Sequence, residues 1–382
     1  MGMVMMDEAR LQELLEKNQQ RYRVRIGERL PQTVKFSVGD SDVELEKIVF
    51  HVGDQDYGLR YGTNPHMQAA IYVPKKINDN FFRKLEWLKM GKDGPSATNI
   101  EDGFRGMKTC TDFDVPTVSV MKHTNPTGVA INRYGEKTLT ELFEAAWNSD
   151  SRSAFGSVVC SSAKVGEDIA KKLMEKNDEG KYKYFVECLY APDYGDEALE
   201  ILRERKDLRI AKVPPVEKIR ELKFPYDFKN LGYAIILEDA YKTDIKTVQD
   251  LKERYVVTKR EPTEDEWKDM LYAWTVCTNK RSNGVCFWKD YRTLGIASGT
   301  PSRIDAIEDA IDIAKRMSHD LRRSVLASDA FMLWDNAEIL GKEGVGAIVQ
   351  PGGSIYDTKV IDDANRYHMA MVFTGERCFR HF

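Results

Sequence analysis

The chain has 382 residues, a formal net charge of −4 and 42% hydrophobic residues. These values are typical of a globular protein that is long enough for two domains. They give no sign of a nucleic-acid partner, although net charge does not exclude a local cationic pocket for one phosphate.

The sequence shows no recognisable targeting signal or membrane-spanning segment. The N-terminus lacks a basic segment followed by an apolar one, so no secretory signal is predicted. No apolar run approaches the roughly 20 residues of a membrane helix. The six cysteines are scattered without CxxC spacing, which indicates reduced, buried thiols and not a zinc site or disulfide framework. We therefore expect a cytoplasmic protein without a catalytic metal.

Hydrophobic periodicity predicts the elements in chain order. An amphipathic helix is predicted at residues 7–24 and a strand at 43–52. From about residue 110 strands and helices alternate, which predicts an α/β fold. The later strands are predicted at 117–121, 184–190, 284–288, 293–297, 346–350 and 368–373, and the helices at 137–147, 197–203, from Thr300-Pro301 onward and at 357–367.

Four polar or glycine-rich loops lie where strands are expected to end, at residues 122–126, 298–303, 328–331 and 350–354. Ligands bind outside the carboxyl ends of strands in open α/β sheets, so these loops are candidate site segments. Lys122 and His123 open the first loop. A histidine exchanges a proton near neutral pH and an ammonium stabilises an oxyanion, so the pair can divide the work of acyl transfer. The dipeptide by itself favours a non-catalytic alternative, in which Lys122 is a solvated charge at the strand end and His123 is an ordinary loop histidine.

Other residues offer ligand-binding groups. Arg303 can bind a phosphate or carboxylate, or lie on the surface. Glycines before Ser354 allow a ligand to approach a helix N-terminus, or simply precede a capped helix. Asn283 can read a carboxamide. The C-terminal tail can supply Arg377 for an anion and Phe379 for a planar ring, or merely complete the core.

Ten segments follow the order of one known family. They are LRYGTNPH (59–66), NIEDG (99–103), VMKHTNPTGVA (120–130), SAFG (153–156), YAPDYGDEALEIL (190–202), SNGVC (282–286), SRI (302–304), SDAF (328–331), AIVQPGGSIYD (347–357) and MVFTGERCFRH (371–381). With these segments the chain resembles the aminoimidazole carboxamide ribonucleotide (AICAR) transformylase domain of a bifunctional purine-biosynthesis family, whose members also carry inosine monophosphate (IMP) cyclohydrolase.

The resemblance implies two cytidine-deaminase-like three-layer α/β lobes. We expect them at residues 59–213 and 214–382, with residues 1–58 as an N-terminal extension that packs on the first lobe. It implies a homodimer with shared active sites. The implied reaction, in de novo purine biosynthesis, transfers a formyl group from the co-substrate 10-formyltetrahydrofolate to the 5-amino group of AICAR.

The resemblance also implies roles for individual residues. His123 would be the general base and Lys122 would stabilise the oxyanion. The expected nucleotide-binding residues are Arg60, Tyr61, Gly156, Glu187, Asn283, Arg303, Phe331, Arg377 and Phe379, and the expected folate-binding residues are Ile304, Asp335, Ser354 and Ile355.

Some positions depart from the family pattern. About 58 residues precede the first matching segment, so we expect a separate protein to perform the cyclohydrolase step. Glu187 and Met67 stand where the family has Asp and Gln. Residues 299–301 and 332–334 differ on the folate side. Two alternatives therefore stay open: the same acceptor with another formyl donor, and a non-catalytic protein that binds AICAR-like nucleotides.

Overall fold

The computed structural model describes residues 29–78, 80–91, 93–215, 226–232 and 234–381. The helix predicted at residues 7–24 lies outside the described residues. Within those ranges, no helix combines the length and apolar character that crossing a membrane requires.

The described chain alternates strands and helices. The strands are β1 (Thr33–Val38), β2 (Ser41–Ile48), β3 (Phe50–Val52), β4 (Gln55–Tyr57), β5 (Ile71–Pro74), β6 (Glu86–Lys89), β7 (Thr117–Lys122), β8 (Asn125–Ile131), β9 (Ser157–Ser161), β10 (Val186–Ala191), β11 (Arg209–Lys212), β12 (Tyr226–Asn230), β13 (Ile235–Asp239), β14 (Tyr255–Val256), β15 (Val285–Lys289), β16 (Arg292–Ala297), β17 (Val325–Ser328), β18 (Ala347–Gln350) and β19 (Ala370–Phe373). The helices are α1 (Phe81–Lys84), α2 (Ala97–Thr111), α3 (Leu139–Trp147), α4 (Ser151–Ala154), α5 (Glu167–Leu173), α6 (Asp196–Arg203), α7 (Val248–Lys252), α8 (Glu264–Cys277), α9 (Arg303–Arg316), α10 (Asn336–Lys342) and α11 (Asp357–Arg366).

Twelve strands form one mixed sheet in the order β14-β19-β18-β17-β15-β16-β8-β7-β9-β10-β11-β6. Its two halves meet where β8 lies beside β16. The N–H of Val129 donates to Oγ1 of Thr293 at 3.0 Å, and Ser149 donates to the Thr293 carbonyl at 2.8 Å. The sheet is therefore continuous along the described chain. The predicted lobe boundary adjoins residues 216–225, outside the described residues, and the division into lobes stays a prediction.

Helices cover both faces of the sheet. Val120 and Val159 pack with residues of α3 and α5 on one face. Met121 and Val158, each one position along the same strands, pack on the opposite face with residues of α2. This alternation follows from the two-residue period of a strand, and near-continuous apolar runs are expected for strands buried on both sides. The predicted α/β class is confirmed.

Nine of the elements predicted from residue 117 onward are observed with both ends within two residues of the prediction. Residues 43–52, predicted as one strand, are observed as strand except at Val49, which separates β2 from β3. β2 joins a three-stranded sheet with β1 and β5, whereas β3 pairs with β4 across a tight turn at Gly53, which has φ 58°, and Asp54. The helix predicted from Thr300-Pro301 onward begins later, at Arg303, with Ser302 in the N-cap position. The Thr300 hydroxyl donates to the Ser302 carbonyl and does not cap the helix.

Candidate active site

One edge of the twelve-stranded sheet collects most of the predicted site residues. The strands β7, β16, β17, β18 and β19 all end at this edge, whereas β9, β10 and β15 run the other way and begin there. The residues near this edge are Lys122, His123, Gly156, Glu187, Asn283, Arg303, Ile304, Phe331, Asp335, Ser354, Ile355, Arg377 and Phe379. The carboxyl-end rule therefore locates only part of the set, because Gly156, Glu187 and Asn283 lie at strand beginnings.

Lys122 and His123 lie at the tip of the β7–β8 hairpin. Lys122 pairs with Asn125, so His123 and Thr124 form a two-residue turn. Their φ angles are 53° and 66°. This left-handed conformation is usually supplied by Asn and Gly in such turns and is strained for a β-branched threonine. Residues 125 and 126, predicted as part of the loop, instead begin β8, and the side chain of His123 is exposed at the tip.

The carboxylate of Asp102 in α2 contacts this turn. It accepts hydrogen bonds from the N–H of Thr124 at 2.6 Å and from the N–H of His123 at 3.3 Å. Burial raises the pKa of Asp102 to about 6, although the Thr124 amide and the nearby His123 oppose the rise. At neutral pH the turn is therefore held by a buried carboxylate that is mostly ionised.

Lys122 faces the beginning of β9. Its ammonium donates to the carbonyl of Phe155, and a Cβ on the next residue, Gly156, would lie 3.8 Å from Nζ. The N–H of Gly156 donates to the Phe185 carbonyl at 2.7 Å. The ring of Phe155 is 55% exposed and stacks on Phe185 with centroids 5.0 Å apart. An aromatic face that the sequence analysis did not single out therefore lies beside the lysine.

Arg60 and Tyr61 are anchored at the start of α2. Backbone hydrogen bonds join Arg60 to Pro95 at 2.9 Å and Ala97 to Tyr61 at 3.0 Å. The Arg60 guanidinium donates to the Tyr61 hydroxyl at 2.9 Å. Burial, with the like charge of Arg209 adding to it, lowers the pKa of Arg60. Two neighbouring cations at a buried position favour an anionic ligand.

Glu187 is held from the same helix. The side-chain amide of Asn99 donates to Glu187 at 2.9 Å, and Asn99 also forms a capping box with Ser96. The first two turns of α2 therefore contact three predicted regions: Arg60-Tyr61, Glu187 and the His123 turn.

The side chain of Arg303 is buried and forms its hydrogen bonds and ion pair with other residues of the chain. It is 5% exposed and pairs with the fully buried Asp329 at 2.6 Å. It also donates to the Gly284 carbonyl at 3.0 Å and to Asn283 Oδ1 at 2.8 Å. The Asn283 amide nitrogen donates in turn to the Thr300 carbonyl at 2.8 Å. Arg303 thus braces the loop that carries Asn283, and contact of either residue with a nucleotide stays a prediction.

Asn125 joins the two halves of the edge. Its Oδ1 accepts from the N–H of Arg281 at 3.0 Å and from the hydroxyl of Ser298 at 3.2 Å. Its Nδ2 donates to the His123 carbonyl at 3.1 Å. The His123 turn is therefore tied both to α2 and to the Asn283 loop.

The C-terminal tail docks on this loop. The N–H of Cys378 donates to the Asp329 carbonyl at 3.1 Å, and Ser282 exchanges backbone and side-chain hydrogen bonds with Arg380. The tail therefore packs on the protein, with Cys378 fully buried in the core. Arg377 lies over the ring of Phe379, with 4.9 Å between the guanidinium carbon and the ring centroid.

The expected folate side exposes apolar groups. The loops after the parallel neighbours β17 and β18 lie side by side, and Ile304 lies in the first turn of α9. Ser354 and Asp357 do not form a capping box, because the Asp357 carboxylate accepts from the N–H of Gly353 at 2.7 Å and the helix begins after Tyr356. Exposed apolar side chains in these loops are Phe331, Trp334, Ile355 and Tyr356.

Sequence reasoning missed the residues that support the site. Asp102 and Asn99 lay inside the NIEDG segment but received no role. The available signal was the Ser96-x-x-Asn99 spacing of a capping box before the small residues Gly103 and Gly106, which indicates a helix packed closely on the sheet. In the described ranges, no group of three or more His, Cys, Asp or Glu side chains is placed to hold a metal ion.

The chain matches the family model described as AICARFT/IMPCHase bienzyme over residues 17–313. It is 40% identical over 329 residues to the bifunctional purine biosynthesis protein PurH of Caldicellulosiruptor saccharolyticus, covering 85% of this chain and 59% of that protein. PurH of Persephonella marina is 37% identical over 350 residues, covering 91% and 63%. PurH of Aquifex aeolicus is 37% identical, covering 85% and 59%. The chain thus spans about three fifths of these curated relatives. It belongs to the AICARFT/IMPCHase bienzyme family.

Proposed function

We propose that this chain catalyses the transformylase step of purine biosynthesis, moving a formyl group from 10-formyltetrahydrofolate to the 5-amino group of AICAR. The observation that carries the proposal is the Lys122-His123 pair at the tip of a constrained hairpin, tied to Asp102 on one side and through Asn125 to Arg281 on the other. A module that only binds a nucleotide does not need a histidine exposed in a strained turn.

The chemistry explains the need for both groups. The acceptor amine is conjugated with the ring carboxamide and is a weak nucleophile, so it must lose a proton as it attacks the formyl carbon. His123 takes that proton, and the Lys122 ammonium stabilises the negative charge that develops on the formyl oxygen. When the tetrahedral intermediate collapses, the bond between the formyl carbon and N10 of the folate breaks and N10 takes up the proton held by His123, which releases tetrahydrofolate and the formamido ribonucleotide. The remaining rate gain comes from holding the two substrates together.

The two substrates would occupy different parts of the edge. Arg60, Tyr61 and Arg377 supply cations and a hydroxyl for the nucleotide phosphate, and Glu187 supplies acceptors for the ribose. On the other side, Trp334 is 53% and Ile355 91% exposed, and such apolar surface fits the planar rings of a folate. Ile304, Asp335 and Ser354 border this surface.

The decisive experiment is a turnover assay with the full chain. Purified protein is incubated with AICAR and, in separate reactions, 10-formyltetrahydrofolate, 5-formyltetrahydrofolate or formate with ATP. We expect the formamido ribonucleotide and tetrahydrofolate with the first donor only. Turnover with formate and ATP alone would mean that the formyl donor is not a folate. AICAR binding without product from any donor would mean that the chain binds the nucleotide and does not catalyse its formylation.

The division of labour is tested in the same reactions. We propose that these 382 residues do not close the ring to IMP, because the ten matching segments belong to the transformylase part of the family pattern. We expect the formamido product to accumulate without IMP. Formation of IMP by the purified chain would assign the cyclohydrolase step to it as well.

We propose two lobes and a homodimer as the working assembly. The β12–β13 hairpin supports the dimer, because Phe228, Ile235 and Leu237 are exposed on one of its faces and Ile236 on the other. Exposed apolar side chains grouped in one short element are typical of a protein interface. Light scattering on the full chain should give twice the 43.8 kDa monomer mass, and Ile235→Lys with Ile236→Lys should shift it toward the monomer.

A further inference from the structure

We propose that Asp102 is a positioning residue of the transformylase reaction: its carboxylate holds the amides of His123 and Thr124 in the left-handed turn that presents the His123 imidazole. The inference rests on the proposed function. It assigns a role to a residue that touches neither substrate and acts through the backbone of the turn.

The turn at His123 and Thr124 is strained. Neither His123 nor Thr124 is a glycine or asparagine, yet both have positive φ. Such a conformation persists in a β-branched residue only where the surroundings over-determine it. Without a partner for the two amides, the turn would relax toward a commoner loop geometry, and the imidazole would move with it.

One buried carboxylate accepts hydrogen bonds from both amides of the turn. Its two oxygens accept separately, Oδ1 from Thr124 and Oδ2 from His123. Asp102 is 4% exposed, so water competes little for these bonds. Charge-assisted hydrogen bonds to a desolvated carboxylate are stronger than neutral ones.

Close packing of α2 on the sheet brings Asp102 to the turn. α2 approaches the sheet closely at two glycines. A Cβ on Gly103 would lie 2.2 Å from the ring of Tyr190, and one on Gly106 would lie 2.5 Å from the sulfur of Cys160. These contacts leave room only for glycine, and they set Asp102 at a fixed depth beside the hairpin tip.

The test compares Asp102→Asn, the double variant Asp102→Asn/Thr124→Gly, and a matched control. Asn keeps one acceptor but turns an amino group toward the second amide. Glycine adopts positive φ without strain, so Thr124→Gly removes the need for the carboxylate. The control is Asp269→Asn, because Asp269 is also buried and accepts from the N–H of Asp290, a φ 60° residue in the distant β15–β16 turn, at 3.2 Å.

We expect Asp102→Asn to lower kcat at least about tenfold while KM for AICAR changes less than about threefold, because the base moves and the nucleotide contacts do not. The double variant should recover most of the lost kcat, and Asp269→Asn should lower stability with kcat within about twofold of wild type. If Asp102→Asn does not fold, Asp102→Glu, with both acceptors one methylene farther out, must show the same kcat loss.

A kcat within about twofold of wild type in Asp102→Asn, or a double variant as impaired as the single one, would overturn the proposal. Amide hydrogen exchange separates this outcome from failure of the proposed function. If the wild-type chain does not formylate AICAR, the function fails, yet exchange at Thr124 should still speed up at least about tenfold in Asp102→Asn and not in Asp269→Asn. Unchanged exchange at Thr124 would overturn the positioning role by itself.

Discussion

The Oδ1 of Asn125 accepts a hydrogen bond from the backbone N–H of Arg281 across 3.0 Å, although 156 residues separate the two positions. Asn125 follows the His123 turn directly, and Arg281 lies two residues before Asn283. Since Asn125 also donates to the His123 carbonyl at 3.1 Å, one side chain connects the hairpin tip to the loop of the opposite half of the sheet.

Replacing Asn125 should therefore disturb catalysis. We expect Asn125→Ala to lower kcat about tenfold and the free energy of unfolding by about 1–3 kcal/mol, because the hydrogen bonds to Arg281, Ser298 and His123 are lost together. Asn132→Ala is the matched control, since Asn132 also ties a loop together, to Lys137 at 2.9 and 3.0 Å, at the other end of β8. The control should lose stability but keep kcat. Equal kcat losses in both variants would mean that Asn125 acts only on folding.

His123→Ala should abolish most of the turnover. Loss of a general base is expected to lower kcat about 10²–10⁴-fold, while AICAR binding measured by calorimetry is retained. The control is His51→Ala, because His51 is an exposed histidine paired with Asp56 at 2.5 Å in the β3–β4 hairpin. His51→Ala should leave kcat unchanged. A kcat loss below about fivefold in His123→Ala would remove His123 from the role of base.

The Arg303–Asp329 pair should be a stability determinant. Asp329→Asn leaves a buried guanidinium without its counter-ion, which is expected to lower the free energy of unfolding by about 3–5 kcal/mol. Glu343→Gln breaks the exposed Lys315–Glu343 pair at 2.6 Å and should cost less than about 1 kcal/mol. Urea unfolding followed by tryptophan fluorescence measures both. Similar costs for the two variants would contradict the burial argument.

The raised pKa of Asp102 predicts a pH dependence of stability. The folded-state value of about 6 lies above the ordinary 3.8, so between these values the folded protein binds more protons than the unfolded chain. Its free energy of unfolding therefore falls as the pH rises through this window. Asp102→Asn lacks this titration, so from about pH 4 to pH 7 its stability relative to wild type should improve by about 2 kcal/mol. A difference that does not change with pH would contradict the raised pKa.

Local patterns in the sequence predicted much of the fold. The apolar run before Lys122 is observed as β7, the stretch with Thr138 as N-cap is α3, and the run at 347–350 is β18. Strand alternation, helix caps and turn residues act over a few neighbouring positions, so they can be read from the chain. The interruption at Val49 was not predicted, because an apolar run does not reveal which of two sheets each half of it will join.

Many elements from residue 117 onward, the family resemblance and the Lys122-His123 candidate pair follow from the residue pattern alone. The contacts that hold that pair arise only on folding: the Asp102 carboxylate lies 21 and 22 residues from its two amide partners, and Arg281 lies 156 residues from Asn125. Such contacts depend on the order of strands in the sheet and on how deeply α2 packs at Gly103 and Gly106. Neither quantity leaves a periodic signal, because close packing is settled between segments distant in the chain.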